Sequence, residues 1–549
     1  MKFKKVYTIS LLAISLLAAS AFYSPTDKYF EISRNLDIFA SLFKEVNAFY
    51  VDEIDPEKSI RTGIDAMLAS LDPYTNYIPE EDLDAYRTMT TGEYGGIGSL
   101  ISQIDDKIII TMPNEGFPAD KAGIKIGDEI IKIDNTDTKG KSTTEVSKLL
   151  KGTAGTPIHI TVLRQEETLD FDLVRAKIVI NNVPYSGMVN DDIGYIKLTE
   201  FTTNAAKEVE TALVNLKKEG ATKIILDVRG NPGGILQEAV AICNLFIPKN
   251  KIVVETKGKT PNWNKIYKTF SKPVDTKIPL VVLTSRGSAS AAEIVSGTIQ
   301  DYDRGVLIGR KTFGKGLVQT TRPVGYNSQV KITVAKYYTP SGRCIQAIDY
   351  SHRNPDGSVG KIPDSLMVAF NTASGRTVYD GGGITPDIEV KAEYFSPVAI
   401  GLLTEGKVFN YATIYYYDHP KAINMKDFVL SDESYTHFTK WLEDVDLEYD
   451  SDLERAVVAF EDAAKESVHY EELKADIEAL KEDILHDQAK DLITNKQEIK
   501  EVLAEQIVGR YFLTRGEIAN AITHDPDVTK AIEVLNNSSQ YNELLTSKK

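Results

Sequence analysis

The sequence predicts a mixed α/β molecule, in which an α/β core is joined to a β-rich domain, with a helical pair ahead of both and a helical region behind. Three observations carry that prediction. Strand-like and helix-like runs alternate from residue 194 onward. Short alternating runs between glycine and aspartate turns fill residues 95–175. Near both ends apolar residues recur at three and four positions. A chain of 549 residues also exceeds what a single core supports and suits about three or four domains.

Leu36, Phe39, Phe43, Val46 and Tyr50 mark the first helix, and Asp55-Pro56 opens a second carrying Ile60, Ile64, Met67, Leu68 and Leu71. Pro73 ends it, because proline disfavours helix in the residue before it. The β-rich domain has strands at Ile108–Met112, Glu129–Ile133, Ile158–Leu163 and Thr168–Leu173, with a helix at Ser142–Leu150. In the core, strands at Tyr195–Leu198, Lys223–Leu226 and Leu280–Thr284 alternate with helices near Ala205–Lys218, Leu236–Phe246 and Ala291–Gln300. Beyond about Tyr394 the pattern is helical and acidic, with Leu473, Ile477, Leu480 and Ile484 on one face and Ile499, Leu503 and Ile507 on another. Its charged faces read as solvated helix surface, or as a partner surface. The expected limits are 1–23 for an export segment, 24–90 for the helical pair, 91–175 for the β-rich domain, 176–394 for the core and 395–549 for the tail.

Composition narrows the function. With 42% hydrophobic and 26% charged residues, the chain is neither a disordered polymer nor a multi-span membrane protein. A net charge of −16 without a basic stripe argues against nucleic acid as a partner. Cys243 and Cys344 form no CxxC or Cys/His cluster, so two separate thiols are expected, with neither a zinc site nor a disulfide framework. Lys2, Lys4 and Lys5 precede an apolar run from Val6 to Phe22 with a small-residue site at Ala19-Ser20-Ala21, the pattern of an export signal. The run is short for a span but near the lower limit, so cleavage and retention as a single anchor stay open. The expected location is outside the cytoplasm: periplasmic, or anchored in the inner membrane and facing the periplasm. Contact with the membrane is expected only through that segment, if uncleaved.

Gly95-Gly96-Ile97-Gly98 enters the β-rich domain, and the N–H groups of such a turn can converge on one carboxylate. With Ala122-Gly123-Ile124 and Gly127-Asp128-Glu129-Ile130-Ile131 downstream, about eighty residues resemble a PDZ domain. Such a site adds an extended chain end as a strand, and Gly96, Ile97, Gly98, Leu100 and Val146 are its candidate peptide-binding residues. In the core, Asp227-Val228-Arg229-Gly230-Asn231-Pro232-Gly233-Gly234 follows one strand, and Ser285-Arg286-Gly287-Ser288-Ala289-Ser290 ends another at the mouth of a helix. Helix-terminal N–H groups there favour a developing oxyanion, although a serine in that position is more commonly a helix cap. The seven histidines all lie outside these turns. Lys315, between Gly314 and Gly316, offers another base: an apolar, water-poor setting lowers a lysine pKa. Gln319, four residues on, could orient it.

Together RGSASAAEI, FGKGLVQ, DVRGNPGG, AKYYTPSGR and GGGITPDIEV resemble the carboxy-terminal processing peptidases, or tail-specific proteases, over about Asp72 to Val390. The resemblance implies crotonase-like β/α layering in the core, with Ser290 as nucleophile, Lys315 as general base and Gln319 as its orienting partner. Ser288 is the second candidate nucleophile. The N–H groups of Ala291 and of Gly233 are the candidate oxyanion hole. Ala292 departs from the family pattern, which often has a third serine there. The implied function is an exported serine endopeptidase acting on proteins or peptides with apolar C-termini, without metal or organic cofactor. An adaptor protein and a homodimer remain open as further partners. Two other readings stay open: a non-catalytic PDZ scaffold binding exported-protein C-termini, and an acyl enzyme acting on thioesters, against which the PDZ-like insert and the pairing of Lys315 with Gln319 weigh.

Overall fold

The computed structural model describes residues 25–546 except 355, 356, 393, 422, 444, 446, 448, 450, 451, 468 and 485–487. The expected export segment, residues 1–23, lies outside the described residues. No described helix is long and apolar enough to cross a membrane. The chain divides into two units, Met1–Tyr77 and Ile78–Lys549.

In the first unit, helices α1 (Pro25–Phe49) and α2 (Pro56–Ala69) form the helical pair. Asp55 caps α2 by accepting the Lys58 N–H at 3.1 Å, and Pro56 takes the first helical position, where the missing N–H costs nothing. Asp72 then turns the chain by accepting the N–H groups of Tyr74 and Thr75, both at 2.8 Å.

The second unit begins with α3 (Leu83–Thr91) and the PDZ-like domain: β1 (Glu93–Gly96), β2 (Ser99–Ile104), β3 (Lys107–Pro113), β4 (Glu129–Ile133), α4 (Thr143–Leu150), β5 (Pro157–Arg164), β6 (Glu167–Val174) and β7 (Ala176–Val179). Strands β2-β3-β4-β5-β6 form an antiparallel sheet in that order, packed around Ile97, Ile110, Ile130, Val146 and Ile160. β1 and β7, which carry the chain into and out of this domain, pair with each other. A reciprocal cap fixes the start of α4: Ser142 Oγ accepts the Glu145 N–H, and Glu145 Oε2 accepts the Ser142 N–H at 2.9 Å.

The core follows: β8 (Tyr185–Met188), β9 (Ile193–Lys197), α5 (Ala205–Glu219), β10 (Lys223–Asp227), α6 (Leu236–Phe246), β11 (Leu280–Thr284), α7 (Ala291–Asp301), β12 (Val306–Gly309), β13 (Leu317–Gly325), β14 (Ser328–Tyr338) and β15 (Ile388–Glu389). Its main sheet runs β8-β9-β10-β11-β12-β15 and is parallel except at β8. Ile224 faces the side covered by α5, α6 and α7, and Ile225 faces the other, both fully buried, as in a parallel sheet covered on two faces.

The tail departs from its sequence reading. Helices α8 (Lys496–Ala521), α9 (Pro526–Asn536) and α10 (Ser538–Leu544) end the chain. Val528, Val534, Leu535 and Tyr541 pack against Tyr195, Ile225, Val281 and Leu283 on the second face of the core sheet. The Tyr541 hydroxyl accepts the Leu280 N–H at 2.9 Å and donates to the Leu280 carbonyl at 3.1 Å. The last two helices are therefore a layer of the core. The sequence pattern did not reveal this, because the strand face that Val528, Val534, Leu535 and Tyr541 cover is formed by segments far away in the chain.

A pH dependence arises in α8, whose backbone breaks from helical geometry at Leu513. Arg510 is buried and donates to the carbonyls of Gln506 and Phe409 at 2.6 and 2.8 Å; burial lowers its pKa to about 9. Burial likewise pushes the Glu517 carboxyl up to about 7, against the pull of Arg510. An unfolded glutamate ionises near about 4.3, so from there to about pH 7 the folded state holds the extra proton and stability falls as pH rises, by on the order of 3 kcal/mol. His524 acts in the same sense: its hydrogen bond to Glu505 Oε1 at 2.8 Å raises its pKa, so its contribution is complete below about pH 6.5 and is lost as pH climbs through the raised value. We expect Glu517→Gln to raise Tm at pH 8 but not at pH 5. A scanning-fluorimetry series checks this, and an equal shift at both pH values would refute it.

Candidate active site

Two loops of the core meet at the head of α7. The first leaves β11 at Thr284 and delivers Ser290 to the helix cap with φ 54° and ψ −111°, a left-handed backbone that a non-glycine residue adopts only when its surroundings impose it. Ser290 is half-buried, and its N–H donates to Glu293 Oε2 at 2.8 Å. Ala291 follows at the first helical position, where an N–H has no intrahelical acceptor, and it forms no other backbone hydrogen bond among the described residues.

The second loop joins β12 to β13 and carries Lys315, also half-buried. Its flanking glycines are required by space. A Cβ on Gly314, which has φ +87°, would lie 2.4 Å from Ala347 Cβ, and one on Gly316 would lie 2.8 Å from the Gln346 nitrogen. The Lys315 N–H donates to Glu293 Oε2 at 2.9 Å, while the Gly314 N–H and Thr312 Oγ1 donate to Oε1 at 2.7 and 2.6 Å. One fully buried carboxylate therefore collects four donors and joins the backbone of Ser290 to that of Lys315. Burial pushes the Glu293 carboxyl upward in pKa, against those four donors. The buried Tyr337 hydroxyl, from β14, makes a second tie: it reaches the Ser290 carbonyl at 3.0 Å and the Lys315 carbonyl as well. Gln319 lies two residues into β13 and donates through Nε2 to Thr333 Oγ1, its cross-strand partner, at 3.2 Å.

The glycine turn after β10 closes the third side. Gly233 has φ +98°, and a Cβ there would come within 2.8 Å of Ser290 Cβ and 2.9 Å of the Ala291 nitrogen, so this backbone lies directly against the serine. Its N–H donates to Asn231 Oδ1 at 2.8 Å. Asn231 is fully buried; its Nδ2 donates to the Leu198 carbonyl and its own carbonyl accepts the Ala289 N–H, both at 2.9 Å. Ser288 is fully buried, its hydroxyl donating to the Val228 carbonyl at 2.8 Å and accepting the Ser285 N–H at 2.9 Å, a loop-holding role. The described histidines pair elsewhere: His159 with Asp170 and Asp172, His352 with Asp349, His419 with Tyr415, His437 with Tyr411, His469 with Glu472 and His524 with Glu505.

In the PDZ-like domain, Ile97 and Val146 are both inside the core, at 2% and 0% exposure, whereas Leu100 is exposed. Gly98 has φ +72° and packs against Phe117, which explains a glycine there, and Gly96 is buried in β1 beside Tyr94. Cys243 and Cys344 are separate thiols, and no group of metal-ligating side chains occurs among the described residues.

The sequence reading had no role for Glu293, Tyr337 or Asn231. Glu293 had a visible signal, since Ser290-x-x-Glu293 has the spacing of a capping box. Tyr337 lies within the AKYYTPSGR motif, but its contacts depend on how β14 crosses both loops.

Comparison with known proteins places the chain in a family. Residues 192–365 match peptidase family S41, residues 109–164 match the PDZ domain, and residues 398–535 match a family described as probable PDZ-protease, C-terminal helical domain. A carboxy-terminal-processing protease of Bartonella bacilliformis is 37% identical over 321 residues, 57% of this chain and 73% of that protein. A probable CtpA-like serine protease of Staphylococcus aureus is 36% identical over 313 residues, 57% of this chain and 62% of that protein. Among solved structures, a photosystem II D1 C-terminal processing protease is 28% identical, covering 64% of this chain and 86% of that one at a TM-score of 0.35. The chain is a serine-type peptidase and belongs to the carboxy-terminal-processing proteases of peptidase family S41.

Proposed function

We propose that this peptidase recruits unstructured proteins by their apolar C-termini through the PDZ domain and cleaves them as an endopeptidase with Ser290 as nucleophile, Lys315 as general base and Gln319 as the group that orients the lysine. The observation that carries this is the Glu293 carboxylate, which accepts the N–H groups of both Ser290 and Lys315. Neutral Lys315 takes the Ser290 hydroxyl proton as Oγ bonds to the substrate carbonyl carbon. The resulting oxyanion is held by the Ala291 N–H and by the Gly233 N–H once the latter turns from Asn231 Oδ1 to the substrate. Collapse breaks the C–N bond, and the Lys315 ammonium gives its proton to the leaving amine. Water, activated by the same lysine, then releases the acyl group. The described histidines, each paired elsewhere, support a lysine in this role.

The proposal includes a crotonase-like layering of the core, supported by a sheet covered on both faces, and domain limits at 91–175 for the PDZ domain and 176–394 for the core, to which the last two helices of the 395–549 tail add a layer. It also includes export by residues 1–23 to a periplasmic or membrane-anchored position, supported by Lys2, Lys4 and Lys5 ahead of the apolar run. The test is mass spectrometry of one loosely folded substrate ending either in apolar or in charged residues. Cleavage at least about tenfold faster for the apolar end is expected, since one apolar pocket contact is worth about 1–3 kcal/mol. Tight tail binding with no cleavage would instead favour the scaffold reading.

A further inference from the structure

The N-terminus of α9 reaches the two catalytic loops from behind. Arg229 begins the turn that ends at Gly233 and Gly234, and Arg310 lies five residues before Lys315. Asp527, in the first turn of α9 and 1% exposed, accepts both through one oxygen: Arg229 Nη1 donates to Oδ2 at 2.8 Å and Arg310 Nη2 donates to the same atom at 3.0 Å. Its other oxygen is buried and has no partner among the described residues. Asp525 accepts Arg229 Nη1 at 3.0 Å while capping α9 through the N–H groups of Asp527 and Val528. On the far side of Arg229 stands Asp227, fully buried, which takes Arg229 Nη2 at 2.7 Å, the Tyr195 hydroxyl at 2.6 Å and Lys197 Nζ at 3.1 Å. Burial pushes the Asp227 carboxyl up, but Arg229 and Lys197 outweigh it and hold it below the ordinary range.

Helix α9 does not need Asp527 for its cap, because Asp525 supplies it. Burying a carboxylate is costly unless it is paired, and here both partners are arginines whose main chains lead into the active site. From Arg229 the chain runs through Asn231, whose carbonyl holds the Ala289 N–H next to Ser290. From Arg310, whose N–H and carbonyl are both bonded to Thr284, it runs to Thr312 and Lys315 on Glu293. We propose that Asp527, with Asp525, is a positioning group of the peptidase: by clamping Arg229 and Arg310 it sets the spacing between the Asn231–Gly234 turn and the Lys315 loop, so the C-terminal helical region completes the active site. The proposal rests on Ser290 and Lys315 being the catalytic pair.

The experiment measures kcat and KM of the full chain on a short unstructured peptide that spans a bond the parent cleaves, with Tm alongside. Asp527→Asn should lower kcat at least tenfold with KM within twofold, and Arg310→Gln should do likewise. The double variant should lose no more than the worse single variant, because both break one link. Leu535→Ala, an apolar contact of the same helix, should lower Tm yet keep kcat within twofold where the protein is folded. The proposal is overturned if folded Asp527→Asn keeps kcat within twofold, if the double loss is the product of the two singles, or if Leu535→Ala loses as much kcat as Asp527→Asn. If Asp527→Asn does not fold, an unchanged kcat in Arg310→Gln overturns it alone. Cleavage that persists in Ser290→Ala would show instead that the catalytic pair was misassigned.

Discussion

Ser290→Ala and Lys315→Ala should each abolish peptide cleavage, by a factor on the order of 10³ or more, while the protein stays folded. The structure separates chemistry from stability at both positions. Backbone ties hold both residues: the N–H groups to Glu293, the carbonyls to Tyr337. Alanine keeps every one of them. At Ser290 the backbone with φ 54° is as strained for alanine as for serine, so no new strain appears. Ser288→Ala should behave oppositely, because its hydroxyl is buried between the Val228 carbonyl and the Ser285 N–H. Its loss leaves the Ser285 N–H without that acceptor, while the Val228 carbonyl keeps the Asn231 N–H, and costs about 1–3 kcal/mol of stability, with cleavage by the folded fraction retained. Intact-mass analysis of substrate, with circular dichroism of each variant, decides between the two serines. Full activity in Ser290→Ala together with none in Ser288→Ala would reverse the assignment.

Much of this was legible in the sequence because it is local. Ser142 and Glu145 announce the start of α4, and Asp55-Pro56 that of α2, since caps are made within four residues. The strands of the main sheet are continuous apolar runs such as Ile224-Ile225-Leu226, and the loops at their ends carry the glycines and the serine. What could not be read is what joins segments far apart in the chain. Tyr337 meets Ser290 across 47 positions, and Arg229 meets Asp527 across 298. What Val528, Val534 and Leu535 cover could not be read either, because the sheet face they pack on is built from strands distant in the chain. Asn231 reads in the sequence as turn chemistry; its buried side chain also anchors that turn to the Leu198 carbonyl.

Glu293 is where the site and the fold depend on one group, and Glu293→Gln should lower kcat at least a hundredfold while KM for a short peptide changes little. The carboxylate offers two oxygens to four donors. Glutamine keeps the shape but replaces one oxygen with an amide that donates. Either the N–H groups of Ser290 and Lys315 or those on the Thr312 side then face a donor instead of an acceptor. Two unpaired buried donors cost roughly 2–5 kcal/mol, and the loops relieve that cost by moving apart. Stability therefore falls together with kcat. The two effects separate at Thr312→Val, which removes one of the same four bonds on the side away from Ser290: it should lower Tm with kcat within about threefold. If Glu293→Gln and Thr312→Val reduce kcat equally at equal loss of Tm, Glu293 supports the fold alone. A large kcat loss confined to Glu293→Gln means that catalysis depends on the carboxylate as the spacer between the serine and the lysine.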